Sequence, residues 1–173
     1  MIYGFLSEKP QIDKTAFVHP SAQVIGRVTI GPRVSLWPEA VVRADVCPIK
    51  IGEASNLQDG VLIHGREQYP TQIGRGVTVG HGAIIHGAKI GDLCLIGMGA
   101  IVMEAVIGKE CVIAAGALVP KGFRVSPRHL VMGLPAKIAR PLSAEEIRFL
   151  KQSRDSYLDL ARKHQNSSKA IPQ

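Results

Sequence analysis

No stretch of this 173-residue sequence reaches the roughly 18 to 20 consecutive apolar residues of a membrane span. Met1 to Pro10 also lacks the basic start and apolar run of a secretory leader, so the expected compartment is the cytoplasm and no membrane partner is expected. Cysteine is scarce. Cys47, Cys94 and Cys111 form no CxxC pair and leave one thiol over in any bridging scheme, which argues against a disulfide framework or a cysteine zinc site. Acidic residues are outnumbered, 14 against 21 basic, for a net charge of +7. The basic residues are nevertheless scattered, and only Arg162-Lys163-His164 clusters, on what reads as a solvated helix face, so nucleic acid is not an expected partner.

What is abundant is aliphatic, and it is periodic. Ile, Leu or Val recurs every six residues from Ile12 through Val18, Val24, Ile30, Leu36 and Val42. The step resumes in four blocks of three: Ile51, Leu57, Ile63; Ile73, Val79, Ile85; Ile90, Ile96, Val102; and Ile107, Ile113, Val119. Four places after most of these lies a second, usually small residue, among them Ala16, Ala22, Val28, Val34, Ala40, Val46, Ser55, Cys94, Ala100, Cys111 and Ala117. That spacing fits neither a helix nor a simple alternating strand. It fits short strands joined by tight turns, with both residues of each pair pointing inward.

Three rungs to a triangular coil turns eighteen rungs into six coils. Labelling the faces B, C and A in order from Ile12, the departures from the six-residue step are Val42 to Ile51, Ile63 to Ile73, Ile85 to Ile90 and Val102 to Ile107. All four fall at the corner from face A to face B, which supports the three-rung coil. The sequence thus divides into a repeat region over 1–125, a Gly- and Pro-rich linker over 126–142, a helix over 143–165 and a disordered tail over 166–173. Ser143 with Glu146 forms a capping box for that helix, and Ile147, Leu150, Tyr157, Leu158 and Ala161 line one apolar face.

Register then sorts the histidines. His64 and His86 each follow a face-A aliphatic, one coil apart, so their imidazoles stack outward and can share a zinc-type ion. His81 lies on face C, around a corner, with Asp59 stacked against it and Gln58 beside it; Arg43 and Asp45 lie on face A, one coil before His64. Two half-sites on two faces fit a threefold trimer in which face A of one subunit meets face C of the next. Three imidazoles with an open fourth position would make a catalytic centre. Cys94 and Cys111 share one inward slot and read as core filling; Trp37 reads as an outward residue near the trimer contact; and His19, His129 and His164 read as surface or linker residues.

The set Arg43-Ala44-Asp45, Asn56-Leu57-Gln58-Asp59, His64, and His81 followed by His86 resembles the γ-class carbonic anhydrases, hexapeptide-repeat proteins. The resemblance implies an all-β fold, a left-handed parallel β-helix of about six triangular coils with a C-terminal α-helix packed along it. It implies a homotrimer whose metal, Zn2+ with Fe2+ or Co2+ as alternatives, is bound by His64 and His86 of one subunit and His81 of the next. Arg43 would pair with Asp59 across the interface, Gln58 would position the reacting water, and Tyr157 matches a tyrosine near the pocket. The implied activity is that of a lyase hydrating carbon dioxide to bicarbonate with hydroxide supplied at the metal. The sequence departs from the best-known members at Val46, where they carry a carboxylate, and in the inserted loop Gly65 to Gln72, whose one acid, Glu67, reads as an ordinary loop charge and puts rapid hydration in question. Two alternatives stand beside this reading: a metal-binding scaffold without turnover, and a hexapeptide acyltransferase or thioesterase acting on an acyl-coenzyme A.

Overall fold

A computed structural model describes residues 1–167. The rung aliphatics stack in register as the six-residue step requires. On face A Ile63 pairs with Ile85, Ile85 with Val102 and Val102 with Val119. On face C Leu36, Leu57, Val79, Ile96 and Ile113 stack in the same way, and on face B Ile51, Ile73, Ile90 and Ile107. The result is the expected left-handed parallel β-helix with one C-terminal helix, wound in about seven turns.

The seventh turn comes from rungs at both ends. Ile2 pairs with Val24 on face A, Val125 with Ile107 on face B and Val131 with Ile113 on face C. The stretch 126–142, expected as a linker, therefore holds two strands, His129–Gly133 and Ala136–Pro141, which pair antiparallel. The six-residue step runs on unbroken from Val119 through Val125 to Val131. Of the prolines and glycines that suggested a linker, Pro127 and Pro135 sit in a bend and a turn, while Gly133, at φ +105, and Pro141 end the two strands.

Inside the coils, nearly every rung aliphatic and its small partner is buried. A fully buried Ile or Leu contributes about 1.5–3 kcal/mol, so the column of them is the main source of stability. Val46 is the exception, 45% exposed. The strand Val41–Ile51 runs straight through the A-to-B corner, its inward phase shifts there, and Ala44 and Ile49 take the core positions instead. Insertions collect at this corner: the loop after His64 is closed by an antiparallel bridge between Arg66 and Tyr69. At the next corner coils touch so closely that a Cβ on Gly52 would lie 2.6 Å from the Gly74 carbonyl. Cys47, Cys94 and Cys111 are buried free thiols.

The helix α1, Ala144–Ser167, starts from the expected capping box: Glu146 N–H donates to Ser143 Oγ at 3.1 Å and Ser143 N–H donates to Glu146 Oε2 at 2.8 Å. Arg140 grips the same Glu146 carboxylate through two nitrogens, each at 2.8 Å, and these bonds together hold its pKa at about 2. From there α1 packs on face C with Leu150 and Ala161 buried. Trp37 is consequently not an interface aromatic: it is 5% exposed, covered by the chain's own helix, with Phe17, Tyr157 and His164 around its ring. His164 packs against this cluster instead of standing on the surface. Of the expected tail, Asn166 and Ser167 continue α1 and the rest lies outside the described residues. Among the described residues no helix is long and apolar enough to cross a membrane.

Candidate metal centre

His64 and His86 end two adjacent face-A strands, Leu62–His64 and Ile84–His86, that are paired residue for residue. Because Ile63 and Ile85 point inward, the histidines that follow must point outward, and their ring centroids lie 5.3 Å apart. Burial first, then the neighbouring His64, pushes His86 below the ordinary imidazole value, which keeps its nitrogens available as neutral donors. His64 Nε2 lies 2.9 Å from Asp45 Oδ1, and the other oxygen of Asp45 is hydrogen-bonded to Arg43. Burial works to raise the Asp45 carboxyl, but the bonds from His64 and Arg43 outweigh it and hold the group below its usual range. In the single chain Arg43 thus has Asp45 as its partner.

The second half-site is on the next corner. His81 Nδ1 is 2.9 Å from Asp59 Oδ2, and the His81 side chain is 49% exposed. The His81 backbone N–H donates to Gln58 Oε1 at 3.2 Å. Tyr157 on α1 stands edge-on to Trp37 at 5.7 Å, and burial, then the charge of Asp59, raises its phenol pKa. Gln58, His81 and Tyr157 line a groove of about 420 Å³ floored by Leu95, Val112 and Met98.

The residues present fit a divalent ion in chemistry but not in number within one chain. Each carboxylate-held imidazole has its other nitrogen free, Nδ1 of His64 and Nε2 of His81, which is how a carboxylate behind a ligating histidine orients it. Among the described residues, however, no three His, Cys, Asp or Glu side chains converge to hold an ion. The chain brings Arg43, Asp45, His64 and His86 together on one face, and Gln58, Asp59, His81 and Tyr157 around another corner.

Two roles in this neighbourhood were not read from the sequence. Asn56 and Thr78 link Gln58 to Ser153 on α1; the signal for them is the polar column Ser35, Asn56, Thr78 in the outward slot of face C. Glu104, one coil beyond His86, has Oε1 2.6 Å from Arg66 Nε and Oε2 3.0 Å from Lys121 Nζ, and both cations lie over the Tyr69 ring. This cluster pins the loop after His64. Glu67 at its tip is exposed.

Comparison with known proteins agrees with the fold and sharpens the assignment. The family described as the hexapeptide repeat of succinyl-transferase matches residues 70–104. The "Probable carbonic anhydrase" of Methanocaldococcus jannaschii is 45% identical over 151 residues, 87% of this chain and 95% of its own length. "Gamma carbonic anhydrase 2, mitochondrial" of Arabidopsis thaliana is 41% identical over 99% of this chain, which spans 65% of that protein. "Carnitine operon protein CaiE" of Escherichia coli is 40% identical over 91% of this chain and 81% of its own length. Among solved structures, a hexapeptide transferase family protein from Anaplasma phagocytophilum superposes with a TM-score of 0.91 at 38% identity, covering 94% of this chain and 97% of its own. With identity of this level along nearly whole chains, and with the rungs and histidines in register, the chain belongs to the γ-carbonic anhydrase-like family of hexapeptide-repeat proteins.

Proposed function

We propose that copies of this chain assemble as a closed trimer and complete a three-histidine metal centre at each interface, with His64 and His86 from one copy and His81 from its neighbour, and that this centre hydrates carbon dioxide to bicarbonate. The observation that carries the reading is the pair of stacked, outward imidazoles 5.3 Å apart, beside which the described residues complete no three-ligand group. A ring of identical interfaces supplies the third from His81. The carbonic anhydrase names of two relatives support the reaction.

Zn2+ suits three imidazoles, and Fe2+ or Co2+ suits them as well. A bound divalent ion of this kind brings the pKa of a water toward about 7, so that hydroxide is available at neutral pH. The chain's own residues do the rest. Asp45 and Asp59 fix the orientation of His64 and His81. Gln58 Oε1, which already accepts from the His81 N–H, has a second lone pair to orient the reacting water. Arg43, with N–H groups beyond the one given to Asp45, joins the two half-sites by reaching Asp59 of the neighbouring copy. The Tyr157 ring packs the helix against Trp37 at the edge of the groove.

A second reading has one observation in its favour. His81 with Asp59 at 2.9 Å, beside a groove of about 420 Å³, has the geometry of a general-base pair for acyl transfer from an acyl-coenzyme A. Metal quantitation with stopped-flow carbon dioxide hydration on wild type and His81→Ala separates the readings. The proposal expects metal and hydration in the wild type and loss of both in the variant. Acyl-coenzyme A turnover without metal would favour the transferase, and retained metal without hydration a scaffold.

A further inference from the structure

From Gln58 runs a chain of four side chains, Gln58, Asn56, Thr78 and Ser153, in which the His81 N–H sets the direction of the bonds as far as Thr78. The backbone N–H of His81 can only donate, and it meets Gln58 Oε1 at 3.2 Å. The Gln58 nitrogen must therefore face away from His81, and Nε2 meets Asn56 Oδ1 at 3.3 Å. With its oxygen accepting, Asn56 donates from Nδ2 to Thr78 Oγ1 at 3.0 Å. Thr78 Oγ1 lies 3.2 Å from Ser153 Oγ on α1, a contact in which either hydroxyl can donate. Asn56, Gln58 and Thr78 are 1%, 5% and 5% exposed, so the bonds among them are largely shielded, although Gln58 and Thr78 also border the groove.

We infer that Thr78 and Ser153 are positioning residues that fix which end of the Gln58 amide faces the candidate metal centre. If Asn56 turned its amide over, its Nδ2 would oppose Gln58 Nε2, donor against donor. Gln58 would then either lose that bond or turn over itself, setting its Nε2 against the His81 N–H. Thr78 opposes this by offering Asn56 an acceptor, and Ser153 gives the Thr78 hydroxyl proton a partner away from Asn56, so that it is not turned onto the Asn56 amide. Loss of any link leaves a buried donor unmet. The terminal helix thus belongs to the site as well as to the packing: Ser153 and Tyr157, one turn apart on α1, both line the groove with Gln58 and His81. The functional weight of this inference rests on the proposed metal centre, but the amide orientation can be measured without metal.

The test uses side-chain amide exchange of Gln58 by NMR in the metal-free, full-length protein, with the resonance assigned by its loss in Gln58→Leu. Thr78→Val removes the acceptor at nearly constant shape, Thr78→Ser restores it, and Ser153→Ala cuts the chain at a helix position where alanine is well tolerated. Exchange of the Gln58 amide should quicken about fivefold or more in Thr78→Val and in Ser153→Ala and return to the wild-type rate in Thr78→Ser. Unchanged exchange in Ser153→Ala, or in a Thr78→Val protein that melts like the wild type, overturns the inference; so does failure of Thr78→Ser to restore the rate. Should Thr78→Val not fold, Ser153→Ala carries the same comparison. A wild type that binds no metal would sink the metal reading while leaving this result intact.

Discussion

His64 Nε2 lies 2.9 Å from Asp45 Oδ1, so the carboxylate both orients the imidazole and leaves its Nδ1 free. Asp45→Asn keeps the shape and removes the charge. It should lower the affinity for Zn2+ or Co2+ by roughly 10- to 100-fold, as loss of a carboxylate that orients a ligating histidine does, with little change in melting temperature. Competition against a chelator of known affinity measures this, and an unchanged affinity would place Asp45 outside the centre.

The capping box gives a pH dependence of known sign. Glu146 is held at about 2 by Arg140 and the Ser143 N–H, below its ordinary 4.5. Its contribution is complete above about 4.5 and is lost as the pH falls toward 2. Melting temperature should drop over that window more in the wild type than in Glu146→Gln, which lacks the titrating group. Equal acid sensitivity in the two proteins would contradict the assignment.

In the coils the strongest effect should come from removing volume where nothing can relax. Ile113 is 0% exposed, with Ile96 and Val131 as its partners one coil away on either side. Ile113→Ala should cost about 2 to 5 kcal/mol in denaturant unfolding while leaving the metal content of the folded protein unchanged. A loss under about 1 kcal/mol would mean that the column collapses around the cavity.

The single tryptophan reports on helix docking. Trp37 lies 5.7 Å from Tyr157, edge to face, under α1. Tyr157→Ala should shift Trp37 emission to the red and lower stability, whereas Tyr157→Phe, which keeps the ring, should do neither. A red shift in Tyr157→Phe would show that the hydroxyl, and not ring packing, holds the helix.

The repeat was legible because each rung carries its own signal: an aliphatic every six residues and a small inward partner. Both ends were harder to read. Ile2 is separated from Ile12 by an insertion bridged at Phe5 and Glu8, and Val125 and Val131 keep the step but sit among turn residues such as Pro127. Val46 misled because its slot lies in a strand, Val41–Ile51, that crosses a corner without a turn and shifts its inward phase there. Trp37 misled because an outward slot says nothing about what covers it, and here α1 does. The stacking of His64 on His86 and of Asp59 on His81 follows from register alone, and the structure has both. The Asn56–Thr78–Ser153 chain depends on where a helix 75 residues beyond Thr78 comes to rest, which periodicity does not encode.

The central claim, one metal centre built by two copies, is tested most directly by subunit mixing. His64→Ala lacks the face-A half and His81→Ala lacks the other, so neither variant alone should bind metal tightly. Unfolded together and refolded as mixed trimers, they should regain metal, because the intact face A of one variant meets the intact His81 of the other. If the mixture binds no more metal than the separate variants, or if either variant alone retains the wild-type metal content, the shared centre is wrong.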